Sequence, residues 1–144
     1  MNDISTKEII NFYEKLSKVF NTKQLNEIRR GLDKGLDITK YANPEYNCWQ
    51  MEEIRYGLEE KLDITKYANP KYNYQQMQQI RMGLKYKLDI TKYANPKYDA
   101  FQMQQLRLGL EDNLDITQFA NPKFDYNKMR EIRLELLEEK IWSK

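Results

Sequence analysis

The sequence predicts an all-α fold: an α-solenoid of helix–turn–short-helix units with a capping helix at each end. Three observations carry that expectation. One block of residues returns at a fixed 26-residue spacing, the same helix-start signals precede each copy, and both ends depart from the pattern. A short fixed period marks an architecture in which each unit stacks on its neighbours.

The block is Leu-Asp-Ile-Thr-Lys-Tyr-Ala-Asn-Pro at Leu36–Pro44. It recurs at Leu62–Pro70 and Leu88–Pro96, and at Leu114–Pro122 with Gln118 and Phe119 in place of lysine and tyrosine. The chain 1–144 therefore reads as a single domain. It comprises an N-terminal capping helix (1–20), four units (21–46, 47–72, 73–98 and 99–124) and a C-terminal capping helix (125–144).

The N-terminal helix opens with Ser5 as N-cap and Glu8 as its capping-box partner, and Ile4 and Ile9 are spaced as a hydrophobic staple. Each unit repeats that grammar. Asn73 is the N-cap, Gln76 the box partner, and Tyr72 and Met77 the staple. The equivalents are Phe20/Asn21/Gln24/Leu25, Tyr46/Asn47/Gln50/Met51 and Tyr98/Asp99/Gln102/Met103. In Phe124/Asp125/Lys128/Met129 the staple stays and the box is lost. From each cap an apolar stripe continues (Met77, Ile80, Leu84), predicting a helix of about 13 residues. Gly31, Gly57, Gly83 and Gly109 fall inside these helices, where glycine costs about 1 kcal/mol relative to alanine. A close helix–helix approach is the expected reason. Asp89 then caps a helix of about one turn, and Asn95-Pro96 stops it. At the far end Glu135 replaces the glycine and the helix runs on toward Trp142 without a following short block.

Composition bounds the function. Net charge is +2, from 24 basic and 22 acidic residues, so no global field gathers nucleic acid or an anionic membrane. There is no histidine, the commonest general base and metal ligand, and one cysteine, Cys48. No Gly-rich phosphate loop and no metal-ligand spacing occurs. These features argue against catalysis, a cofactor or a metal. The N-terminus lacks the apolar core of a signal peptide and no run of residues could span a membrane. A cytoplasmic protein is expected.

Two sets of residues are candidates for contact with a partner. The positions that vary between units are the first, because repeat proteins hold scaffold positions constant and vary exposed ones. The second helical position reads Lys23, Trp49, Gln75, Phe101, Asn127, and seven residues on it reads Arg30, Tyr56, Met82, Leu108, Leu134. Tyr74 and Tyr86 continue this face, with Glu52, Glu53, Gln78, Gln79, Gln104 and Gln105 between. Aromatic and methionine anchors among amides are typical of protein interfaces. A protein partner engaged by Trp49, Tyr56, Tyr74, Met82, Tyr86, Phe101 and Leu108 is the leading expectation, and self-association through the same face is another. The second set is an arginine ladder: Arg29, Arg55, Arg81, Arg107 and Arg133. Constancy favours a structural role for it, pairing with Asp37, Asp63, Asp89 or Asp115 or stacking on a tyrosine. The alternative is an anion or nucleic-acid site, joined by Lys85 and Lys87 of the most basic unit, 73–98.

The block Leu-Asp-Ile-Thr-Lys-Tyr-Ala-Asn-Pro, followed by Gln-Met-x-x-Ile-Arg-x-Gly-Leu, resembles a short helical repeat of largely uncharacterised bacterial proteins. These are often encoded by Gram-positive bacteria, their phages and conjugative elements. The likeness covers residues 20–140. It implies a small effector that binds and blocks a host protein, such as a component of a CRISPR defence.

Overall fold

The computed structural model describes residues 5–143. Among them are six α-helices, four one-turn 3₁₀ segments and no strand. The helices are α1 (Thr6–Val19), α2 (Thr22–Asp33), α3 (Cys48–Glu59), α4 (Tyr74–Lys85), α5 (Ala100–Glu111) and α6 (Tyr126–Trp142). The 3₁₀ turns are Ile38–Lys40, Ile64–Lys66, Ile90–Lys92 and Ile116–Gln118. Each helix packs on the next in the chain, and each 3₁₀ turn folds back on the helix before it.

The expected helix starts are present. The caps Asn21, Asn47, Asn73 and Asp99 each accept from the backbone of a box glutamine, which in turn accepts from the cap's own N–H. Ser5 and Glu8 form the same box on α1, while Asp125 caps α6 without one. Ile4, the other half of the α1 staple, lies outside the described residues. The aspartates Asp37, Asp63, Asp89 and Asp115 cap the 3₁₀ turns by accepting from Thr39, Thr65, Thr91 and Thr117.

Helix ends follow a rule that the sequence shows only once. Gly35, Lys61, Lys87 and Asn113 all have positive φ, from 55° to 68°. The residue after each sends its N–H back to the helix glycine's carbonyl, as Leu62 does to Gly57 at 2.9 Å. This is a Schellman end, which glycine suits because it carries no Cβ. Two lysines and an asparagine adopt it here.

The glycines do answer to a close approach, but not the one expected. A Cβ on Gly57 would overlap the Tyr67 hydroxyl and come within 2.6 Å of Ile64 Cγ2, both from the 3₁₀ segment of the same unit. The neighbouring long helix is not what crowds it. Tyr41, Tyr67 and Tyr93 are fully buried there and donate to the carbonyls of Glu27, Glu53 and Gln79 at 2.7 Å. In the last unit Phe119 fills the slot and makes no such bond. Helix α6 has no following block, so Glu135 is tolerated where the others need glycine.

The ends behave differently from one another. Helix α6 buries Met129 and lays Ile132 and Leu136 against the core. Helix α1 buries less. None of its residues is buried, only Leu16 reaches the core, and Ile9, Phe12 and Tyr13 stay about half exposed. The stripe that marks its apolar face extends beyond what α2 can cover.

Candidate partner-binding face

In α3, α4 and α5 the constant staple-mate and the stripe residue three after it are buried. Met51, Ile54, Met77, Ile80, Met103 and Leu106 have no measurable exposure. The box glutamines are buried as well, and they do a second task. Gln24, Gln50, Gln76 and Gln102 each turn Nε2 to the carbonyl of the staple residue one unit on, Tyr46, Tyr72, Tyr98 and Phe124, at 2.6–2.7 Å. One amide thus closes its own helix start with the oxygen and ties down the next unit with the nitrogen. A glutamate could cap but could not donate.

The arginine ladder is also turned inward. Arg55 is 4% exposed; its Nε donates to Glu27 of the preceding helix at 2.8 Å and its Nη1 pairs with Glu59. Arg81 bridges Glu53 at 2.8 Å and Glu60 at 2.6 Å. Arg107 and Arg133 make the same Nε bond to a neutral side chain, Gln79 at 2.9 Å and Gln105 at 2.8 Å. The partners are therefore not Asp37, Asp63, Asp89 and Asp115, which are occupied as turn caps. They are the residues 28 positions earlier, which spacing along one helix could not indicate. Glu53, Gln79 and Gln105 are consequently removed from the exposed face, where the sequence had placed them. Burial pushes the Glu53 carboxyl above its usual value against the pull of Arg81, whereas Glu27 and Glu59 together hold the Arg55 guanidinium charged in spite of its burial.

Arg29 is the exposed member and bonds only Asn26, at 3.1 Å. Lys85 lies 3.3 Å from Glu60, and Lys87 sits in the left-handed turn position after α4. These three cations do not converge, since Arg29 is two helices away from the lysines. Among the described residues no group of three His, Cys, Asp or Glu side chains is placed to hold a metal ion.

What remains at the surface is the variable set. Trp49 packs on Tyr74, ring centroids 5.9 Å apart, and the Lys23 ammonium stands 5.7 Å above Trp49. Phe101 meets Tyr126 edge-on at 6.0 Å. Each pair joins the second residue of one helix to the first residue of the next. Between the pairs Gln75, Gln78, Ala100 and Gln104 line a shallow groove of about 120 Å³. Phe101 is 64% exposed, Trp49 51% and Tyr86 55%.

Seven residues along each helix from 49, 75 and 101, the side chains Tyr56, Met82 and Leu108 form a second, half-buried row. Tyr56 is not wholly free for a partner, because the guanidinium groups of Arg55 and Arg81 stand 4.7 and 5.3 Å from its ring. Tyr86 borders a cleft of about 360 Å³ with Leu88, Arg107 and Glu111. Sequence reasoning missed Tyr126 and the seat of Lys23 on Trp49. For Tyr126 the signal was the 25-residue offset from Phe101 between second and first helical positions, while Lys23 and Trp49 hold the same position 26 residues apart.

Part of the variation serves neighbours instead of partners. Lys34 pairs with Glu59 at 3.0 Å, and Glu60 with Lys85 at 3.3 Å. These two ion pairs span the α2/α3 and α3/α4 junctions.

Compared with protein-family models, with curated proteins and with solved structures, the chain matches none. Among the described residues no helix is long and apolar enough to cross a membrane.

Proposed function

We propose that this is a non-catalytic, cytoplasmic protein-binding module, its helices stacked as a solenoid and its partner met by the face that carries Trp49, Tyr74, Met82, Tyr86, Phe101 and Leu108. One observation carries the reading. Most constant helix positions, Arg29 and Leu32 excepted, are buried or bonded across junctions, while large aromatic side chains stand exposed at positions free to change. Trp49 and Phe101 pack on Tyr74 and Tyr126 yet stay 51% and 64% exposed, and such anchors dominate binding energy at interfaces. Blocking a host protein, as the resemblance to phage and mobile-element repeats implies, suits a surface with anchors and no chemistry.

The test is a paired capture from host lysate with the wild type and a Trp49→Ala/Tyr86→Ala/Phe101→Ala variant. These three residues take no part in the core, so circular dichroism should be unchanged. A protein retained by the wild type and lost by the variant supports the reading. Equal retention by both would place the binding surface elsewhere.

A further inference from the structure

Helix α1 carries an apolar stripe that the other described residues do not cover. Ile9, Phe12 and Tyr13 lie on the same face as Leu16, which packs on the core, and they are 44%, 51% and 52% exposed. At the base of that face an apolar groove of about 210 Å³ opens between α1 and α2, lined in part by Phe12, Leu16, Leu25, Ile28 and Leu32. The stripe has heptad spacing: Ile9 and Leu16 seven apart, Phe12 and Val19 seven apart, with Tyr13 at the edge. Glu8 and Lys15 occupy the flanking position just before each of the first pair.

We infer that α1 is the contact of a two-fold dimer, pairing antiparallel with α1 of a second copy of this chain. The charges select that arrangement. Glu8 and Lys15 are two turns apart, about 10 Å along the helix, and do not satisfy each other. In an antiparallel pair that sets Ile9 beside Phe12 of the second copy, the flanking positions meet like with like, so Glu8 faces Lys15 of the second copy and Lys15 faces its Glu8. A two-fold axis makes both pairs at once. In a parallel pair Glu8 would face Tyr13 and Lys15 would face Phe20, with no charge met. The Glu8 oxygen that closes the N-terminal box is Oε2, which leaves Oε1 for the lysine.

The half-exposed side chains offer on the order of 400 Å² per copy. With the charged flanks a pair reaches roughly 1,000 Å², where specific interfaces begin. This surface is separate from the face of Trp49 and Phe101, so the inference does not depend on the proposed function.

Light scattering on the full chain tests it. The wild type should be a dimer at micromolar concentration, and Phe12→Glu should make it a monomer with unchanged helicity. Lys15→Glu should weaken the dimer at least about tenfold, since it opposes like charges twice. An equimolar mixture of Lys15→Glu with Glu8→Lys should recover a dimer that neither variant forms alone, because every flank then meets its opposite. A wild type that stays monomeric overturns the inference. So does a dimer that survives Phe12→Glu, and failure of the mixed variants to associate overturns the antiparallel register. Loss of the dimer in Trp49→Ala/Phe101→Ala instead would assign self-association to the other face.

Discussion

At the α2/α3 and α3/α4 junctions the arginine Nε donates to a carboxylate, whereas at α4/α5 and α5/α6 it donates to an amide, with a longer Arg133–Asp112 pair of 3.8 Å beside the last. The geometry is the same in all four: an Nε donates across the junction at 2.8–2.9 Å. Only the acceptor differs, Glu27 and Glu53 in the first half, Gln79 and Gln105 in the second. The difference separates what the array needs from what it tolerates. It needs a hydrogen bond to a planar oxygen at that point. It does not need a second charge, and a buried carboxylate carries a desolvation cost that an amide does not.

The largest expected effect is at the arginines. Arg81→Met removes the cation and leaves Glu53 buried with no other ion-pair partner among the described residues, which should cost about 3–5 kcal/mol. Arg107→Met leaves the neutral Gln79 and a Glu111 carboxylate that solvent reaches, and should cost about 1–3 kcal/mol. Urea unfolding of both variants measures the gap. Equal losses would mean that the carboxylate contributes nothing beyond its hydrogen bond.

A smaller effect distinguishes the units by their buried ring. Phe119→Tyr should restore the bond that Tyr93 makes to Gln79, now to the carbonyl of Gln105, and stabilise by about 1 kcal/mol. Tyr93→Phe should lose a similar amount. A destabilising Phe119→Tyr would show that the ring sits too close to Gly109 to admit a hydroxyl; the two are already close, with Phe119 Cζ 2.7 Å from where a Cβ would stand.

The smallest change converts one junction into the other. Glu53→Gln copies Gln79. The Glu53 carboxyl is raised above its ordinary 4.5 by burial, so the folded state holds this proton more tightly than the unfolded state. Its contribution is therefore greatest below pH 4.5 and declines as pH rises through the raised value. The variant should lose that component of the pH dependence and gain up to about 1 kcal/mol at pH 7. Melting curves of both proteins across pH 4 to 8 read it directly. A variant less stable than wild type at pH 7 would mean that the Arg81 pair more than offsets its desolvation.

The sequence announces local devices well and distant ones poorly. Caps, boxes and staples link residues three to five apart, so Asn73, Gln76, Tyr72 and Met77 could be read from spacing alone. The second bond of Gln76 goes to Tyr98, 22 residues away, and spacing gives no sign of it. Residue type does hold a trace: the helix that starts the chain pairs Ser5 with Glu8, while every helix with a unit to tie down uses glutamine. The arginine partners lie 28 residues earlier on the neighbouring helix and half of them are amides, so neither local spacing nor charge marks them. The left-handed turn is legible at Gly35 and hidden at Lys61 and Lys87. Of the candidate face, Trp49, Tyr74, Tyr86 and Phe101 are at the surface as expected. The pairing of Phe101 with Tyr126 required the helices to be set side by side. For α1, periodicity identified the apolar face but not how little of it the chain itself would cover.

The box glutamine also carries information about length. Gln24, Gln50, Gln76 and Gln102 each hold out an amide that the following unit accepts, whereas Lys128 at that position of α6 lies 3.8 Å from Glu131 of its own helix. Copying residues 73–98 into the middle of the array should therefore lengthen it without redesign, because the copied junctions supply both halves of each lock. Placing glutamine at 128 would leave the last helix with an open socket for one more unit.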